Sequence, residues 1–185
     1  MHIGKKGIRT LGIAESYSGR THSTIAGVVM RKDMRIDGIA FSELTVGGRD
    51  ATDAILKIFR QLNRRDINVL MLSGCVIAWF NIVDIESIYT TMRLPTIVVT
   101  YEASEGLEGD IAHHFPGDSE RLEAYRRLGE RMPVHLSSGH EIFIRAYGLT
   151  PEFAAKVCDD FTKDGKIPEP LRVARLIARA AMHQF

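Results

Sequence analysis

Two apolar runs restrict the fold of this chain more than any other feature. "INVLMLSG" at 67–74 and "LPTIVVTY" at 94–101 lack the alternation of polar and apolar residues that marks a strand with one wet face. Strands of this kind need cover on both faces, so a sheet open to water on one side is excluded. The neighbouring segments supply the cover. In "VGGRDATDAILKIFRQLNRR" the glycines break a strand and Asp50 or Thr52 can cap a helix. Ile55, Ile58, Phe59 and Leu62 then recur at helical spacing. "FNIVDIESIYTTMR" reads as a second helix and Ser119–Arg131 as an amphipathic third. "TPEFAAKVCDDFTK" starts a helix cleanly, with Thr150 as cap, Pro151 at the first helical position and Glu152 next.

The chain opens differently. Ile8–Ala14, Ser23–Arg31 and Met34–Leu44 read as three strands, the last two joined by the turn "RKDM". "IFIRAYG" is a further short strand. A three-strand meander followed by alternating helices and buried strands predicts one α/β mixed sheet with helices on both faces. That element order is the order of the ribonuclease H-like fold. The 185 residues, 45% of them hydrophobic, suffice for a single domain over 1–185 with a full core.

Composition excludes several classes. The formal net charge of +1 leaves no global basic field, so any anion-binding surface must be local. Cys75 and Cys158 sit in apolar segments without CxxC spacing and read as buried free thiols of a reducing compartment. No run is long and uninterrupted enough to span a membrane, and no signal-peptide pattern is present, so a cytoplasmic location is expected.

The motifs "GIAESY" at 12–17, "GGRDA" at 47–51, "VLMLSGCVIA" at 69–78, "LPTIVV" at 94–99, "SSGH" at 137–140 and "KIPEPLRVARLIARA" at 166–180 resemble endonuclease V. More closely, they resemble an uncharacterised archaeal family related to that nuclease. The proline hook followed by an arginine-rich helix is the most specific element. The resemblance implies a nucleic-acid-processing protein, in the active case a Mg²⁺- or Mn²⁺-dependent endonuclease that cuts DNA or RNA near a deaminated base. Such chemistry needs a hard dication held by several anionic oxygens, because the metal neutralises transition-state charge and activates water.

Carried over residue by residue, the resemblance implies a depleted site. The first-strand aspartate falls on Ala14, the fourth-strand aspartate on Ser73 and a lysine on Tyr101. Asp50, after Arg49, stands at the position of the family's glutamate, and His140 at its histidine. Glu15 replaces the lost aspartate only if the strand ends or bulges there, since consecutive side chains face opposite sides. Asp50, Glu15 and His140 are therefore the candidate catalytic residues, the first two as metal ligands. Weak or absent metal binding is expected, and a non-catalytic nucleic-acid- or nucleotide-binding protein on the same fold is the alternative. Asp50 reads equally as a helix cap. Glu43 and Asp53 lie near the mapped site, and Asp84 is placed to cap a helix.

Arg172, Arg175 and Arg179 fall on one helix face. With Arg49 they are candidate phosphate contacts, or else partners of Asp159, Asp160 or Glu169. Trp79 and Phe80 could stack on a base but suit a core or interface equally. His113 and His114 are expected in a polar loop, and the arginines at 64–65 and 126–127 at solvated helix ends.

Overall fold

The computed structural model describes residues 7–16, 19 and 21–182. Strands β1 (Arg9–Ser16), β2 (His22–Arg31) and β3 (Ile36–Thr45) form the expected antiparallel meander. Strands β4 (Val69–Ser73) and β7 (Thr96–Thr100) extend it in parallel from β1. Two antiparallel strands, β8 (Met132–His135) and β9 (Glu141–Tyr147), close the far side. The order across this sheet is β3-β2-β1-β4-β7-β9-β8, and a separate hairpin pairs β5 (Val76–Ile77) with β6 (Asn81–Ile82).

The apolar runs behave as two-sided strands. Along β4, Leu70 and Leu72 enter the core layer under α1 (Ala51–Leu62) and α2 (Ile85–Met92), while Val69 and Met71 enter the layer under α5 (Pro151–Asp160) and α6 (Glu169–Met182). Residues Val69–Leu72 are essentially without solvent contact. At about 25 cal/mol per Å² of apolar surface, this double burial is what fixes the two strands at the centre. Helices α3 (Glu108–His114) and α4 (Ser119–Arg127) follow β7.

The proline hook has a physical reason. Pro168 and Pro170 are buried, and the carbonyl of Pro168 accepts from the amides of Leu171 and Arg172, starting α6. A Cβ added to Gly12 of β1 would lie 2.4 Å from the Pro170 side chain, so the glycine permits the first turn of α6 to press on the sheet.

Three expectations fail locally. "FNIVDIESIYTTMR" is helical only from Ile85, because Asn81 and Ile82 pair with β5 and Asp84 caps the helix through the Ser87 amide at 3.0 Å. His113 and His114 end helix α3 rather than lying in a loop. Strand β8 was not expected: its residues are mostly exposed and include Pro133, which an edge strand tolerates. Cys75 and Cys158 are buried and unpaired as expected, and burial pushes the Cys158 thiol up to about 12.

Candidate functional site at the carboxyl ends of the central strands

Strands β1, β4 and β7 all end on one edge of the sheet. Ile13 is in register with Leu72, so Ala14 and Ser73 are neighbours one step further along. Ala14 is buried in the layer beneath α6. Ser73 faces the same way. From α6 the Arg175 guanidinium donates to Ser73 Oγ at 3.1 Å, and the Tyr101 hydroxyl, just past β7, lies 3.5 Å from that oxygen. Arg175 also sits 5.8 Å from the centre of the Tyr101 ring. Burial pushes the Tyr101 hydroxyl's pKa up, so it stays a neutral donor. A methyl, two hydroxyls and a guanidinium thus occupy the strand ends.

Glu15 faces away from this group. Strand β1 continues through Glu15 and Ser16 in unbroken register with Ile25 and Thr24 of β2, so the bulge that would turn Glu15 toward Ser73 does not form. Tyr17, in the same motif, lies outside the described residues. The Glu15 carboxylate instead accepts from the Ala78 amide at 3.0 Å and from the Ser23 hydroxyl, on the α1 side.

Asp50 lies on that second side as well. It stands at the N-cap position of α1, yet its side chain makes no capping bond. Its carboxylate accepts from the Thr45 amide at 3.0 Å, the Thr45 hydroxyl at 2.8 Å and the Asn81 side-chain amide at 2.7 Å. Partial burial pushes its pKa up, but the bonds from Asn81 and Thr45 outweigh burial and hold it below the ordinary carboxylate value. The residue that does serve α1 is Asn81, whose Oδ1 accepts the Ala51 amide at 3.0 Å. Nothing in the sequence marked Asn81 beyond its place after Trp79 and Phe80; its full burial is what makes its three polar contacts matter.

Glu15 thus holds the turn at 78–80, between β5 and β6, directly, and Asp50 holds Asn81, the residue that follows it. Ala78, Trp79 and Phe80 all have left-handed backbones, with φ of 41°, 60° and 59°. Each costs on the order of 1–3 kcal/mol for a residue with a Cβ, so the surroundings must impose the conformation. Arg121 of α4 adds to that grip. It is buried, donates to the carbonyls of Gly47 at 3.0 Å, Gly48 at 3.2 Å and Phe80, and lies 3.9 Å above the Phe115 ring. Read from sequence, Arg121 is one more cation on a polar helix.

The remaining candidates are dispersed. Arg49 pairs with Asp118 at 2.7 Å and with Glu120 of α4. Arg172 pairs with Glu169 at 2.7 Å, whereas Asp159 binds Ser137 and Asp160 binds Lys32. Arg179, exposed in the last turn of α6, has no ion pair among the described residues. His140 is exposed in the turn between β8 and β9, with Nδ1 3.1 Å from the Ser138 carbonyl, at the opposite edge of the sheet from β3 and Asp50. Glu43 and Asp53 are not drawn into a set with Glu15 or Asp50. Among the described residues no three His, Cys, Asp or Glu side chains gather as a metal would require. A concavity of about 570 Å³ between α2, α4 and β9 includes none of Glu15, Asp50, His140, Arg49, Arg172, Arg175 and Arg179.

A mixed sheet in this order, flanked by helices, with its polar residues at the carboxyl ends of β4 and β7, defines a ribonuclease H-like protein of the endonuclease V type. The chain belongs to the Endonuclease dU family, whose profile matches residues 6–182. It is 38% identical over 170 residues to the UPF0215 protein of Pyrobaculum calidifontis, covering 91% of this chain and 93% of that one. The crystal structure of a protein of unknown function from Archaeoglobus fulgidus superposes with a TM-score of 0.82 at 30% identity, over 95% of this chain and 99% of that one. Endonuclease V of Ciona intestinalis, crystallised with a DNA containing inosine, shares the fold at a TM-score of 0.63 and 17% identity, covering 97% and 87% of the two chains.

Proposed function

We propose that this chain binds nucleic-acid strands containing a deaminated base, gripping a phosphate at the carboxyl end of β4, and that it cuts them slowly or not at all. The observation that carries this reading is the Arg175 guanidinium seated on Ser73, 3.1 Å from its hydroxyl. That is the place where the resemblance to endonuclease V puts a carboxylate. A carboxylate there would attract a dication; a guanidinium repels one and attracts a phosphodiester. The Ser73 and Tyr101 hydroxyls add neutral donors on the same oxygen-binding edge. Arg179, one turn further along the same helix, extends the cationic face.

The donor set does not fit a catalytic dication. Ala14 and Ser73 carry no charge, Asp50 and Glu15 lie on the other face of the sheet, and both already accept hydrogen bonds from the chain. Mg²⁺ held through one carboxylate binds weakly. The choice of a deaminated base rests on the family: its name points to deoxyuridine, and the Ciona relative was crystallised with inosine. Uracil and hypoxanthine are the deamination products of cytosine and adenine.

The test is a pair of assays on one set of labelled strands bearing uracil, inosine or neither. Binding is expected to weaken with salt, to favour the deaminated strands and to fall on Arg175→Ala. Incubation with Mg²⁺ or Mn²⁺ is expected to leave those strands intact over many binding lifetimes. Rapid metal-dependent nicking by the unmodified protein would overturn the non-cleaving reading, and failure of every strand to bind at low salt would overturn the nucleic-acid reading itself.

A further inference from the structure

The turn at 78–80 holds three consecutive left-handed residues, none of them glycine. Strain of this kind persists only where the surroundings over-determine it, and here they do. Glu15 binds the Ala78 amide, the Gly47 amide donates to the Ala78 carbonyl at 2.7 Å, Arg121 binds the Phe80 carbonyl, and buried Asn81 locks the next residue. The side chain that this arrangement presents is Trp79, 45% exposed at the tip. His114 supports the indole from one side, with ring centres 4.8 Å apart, and Phe80 meets it edge-on at 5.3 Å. Phe80 and Phe115 pack on each other, and Arg121 covers Phe115. Phe80 and Phe115 are partly buried beneath the cluster, whereas Trp79 and His114 are exposed, and Trp79 carries the larger aromatic face left to solvent.

We infer that Trp79 is a stacking platform for an unpaired nucleobase of the bound strand. The inference rests on the nucleic-acid reading above and adds to it the residue that takes the base. A rigid indole on a fixed turn loses little conformational freedom when a base stacks on it, and every base has a π-face to offer. Trp79 lies on the α1 side of the sheet and Arg175 on the α6 side, but both stand beyond the carboxyl end of β4. Six residues separate Trp79 from Ser73, so a strand passing over that end spans at most roughly 20 Å, a few nucleotides, between the two contacts. An amphipathic core role is inconsistent with the exposure, and a strained turn is a poor foundation for a fortuitous surface residue.

Trp79 is the one tryptophan of the chain, so its emission reports on this site alone. Titration with a short oligothymidylate is expected to quench it saturably. A strand of equal length made of abasic sites offers the same phosphates without bases, and it is expected to bind without quenching. Trp79→Ala should weaken oligothymidylate binding about tenfold, read by anisotropy of a labelled strand, while leaving the abasic strand's affinity unchanged. Trp79→Phe should recover most of the loss. Equal quenching by the abasic strand, or an oligothymidylate affinity untouched by Trp79→Ala, would overturn the platform. Quenching that persists in Arg175→Ala with undiminished affinity would support the platform and refute the phosphate contact. Absence of binding by every strand would remove both.

Discussion

Asn81 offers the sharpest test of how the site is held. Its side chain is fully buried and touches three groups: the Ala51 amide, the Thr45 carbonyl and the Asp50 carboxylate. Asn81→Ala takes one partner from each of them, but not at equal cost. Ala51 is completely buried, so its amide cannot recruit water, and a buried unsatisfied donor costs about 1–3 kcal/mol. Thr45 and Asp50 are partly open to solvent, so their losses together come to about 1 kcal/mol. The sum is ~3 kcal/mol, equivalent to a fall in Tm of about 6–12 °C for a chain of this length. Urea unfolding followed by circular dichroism measures it, with the midpoint shifting at constant slope. Asn81→Asp keeps the size and the acceptor for Ala51 but sets a second carboxylate against Asp50, so it should destabilise at least as much near neutral pH and be partly relieved by acid. A loss below about 1 kcal/mol for Asn81→Ala would show that the turn is not held through Asn81, and the account of Asp50 as its clamp would fail with it.

Other consequences can be measured independently. Gly12→Ala puts a Cβ 2.4 Å from Pro170, backbone included among the close atoms, and should cost about 1–3 kcal/mol in urea while loosening the Arg175–Ser73 contact. Replacing both Arg175 and Arg179 with alanine should flatten the log–log salt dependence of single-strand binding by about 1.4 units, two phosphates' worth, measured by anisotropy across a salt series. Asp118 carries an acid-stability signature. The Arg121 backbone amide, Arg49 and the Arg121 side chain together depress its pKa to about 2. A depressed carboxylate stabilises above its unfolded pKa near 4 and loses that contribution as pH falls toward 2, at most ~2 kcal/mol, so Asp118→Asn should flatten the acid limb of stability over that window.

Much of the architecture is legible in the sequence, because burial on both faces leaves a strand no polar alternation and helix starts carry their own caps. The runs at 67–74 and 94–101, the meander and the helix at Thr150 are all in place. The site is less legible, for a geometric reason. Alternation predicts that Glu15 and Ala14 face opposite sides, but only the unbroken register through Ser16 shows that no bulge intervenes. The role of Asp50 turns on Asn81, thirty-one residues away, and on Thr45, and no spacing rule connects them. Arg121 and Asn81 are invisible to pattern because their importance comes from burial acquired in the fold.

If the absence of carboxylates at the strand ends were the sole obstacle to dication binding, Ala14→Asp with Ser73→Asp would create a site. The geometry predicts otherwise. Arg175 lies 3.1 Å from the Ser73 hydroxyl, so a carboxylate at 73 meets a guanidinium first and forms a partly shielded ion pair. Ala14 is 2% exposed beneath α6, so an aspartate there is desolvated and gains little unless a cation reaches it. Calorimetric titration of Mn²⁺ into the double variant should therefore show little heat, and the further change Arg175→Ala should reveal binding. Asp50→Ala should leave that binding unchanged, because Asp50 lies on the opposite face of the sheet with Asn81 and Thr45. Tight Mn²⁺ binding by the double variant with Arg175 intact, or its loss on Asp50→Ala, would mean that the two faces form one site and that Arg175 does not define its charge.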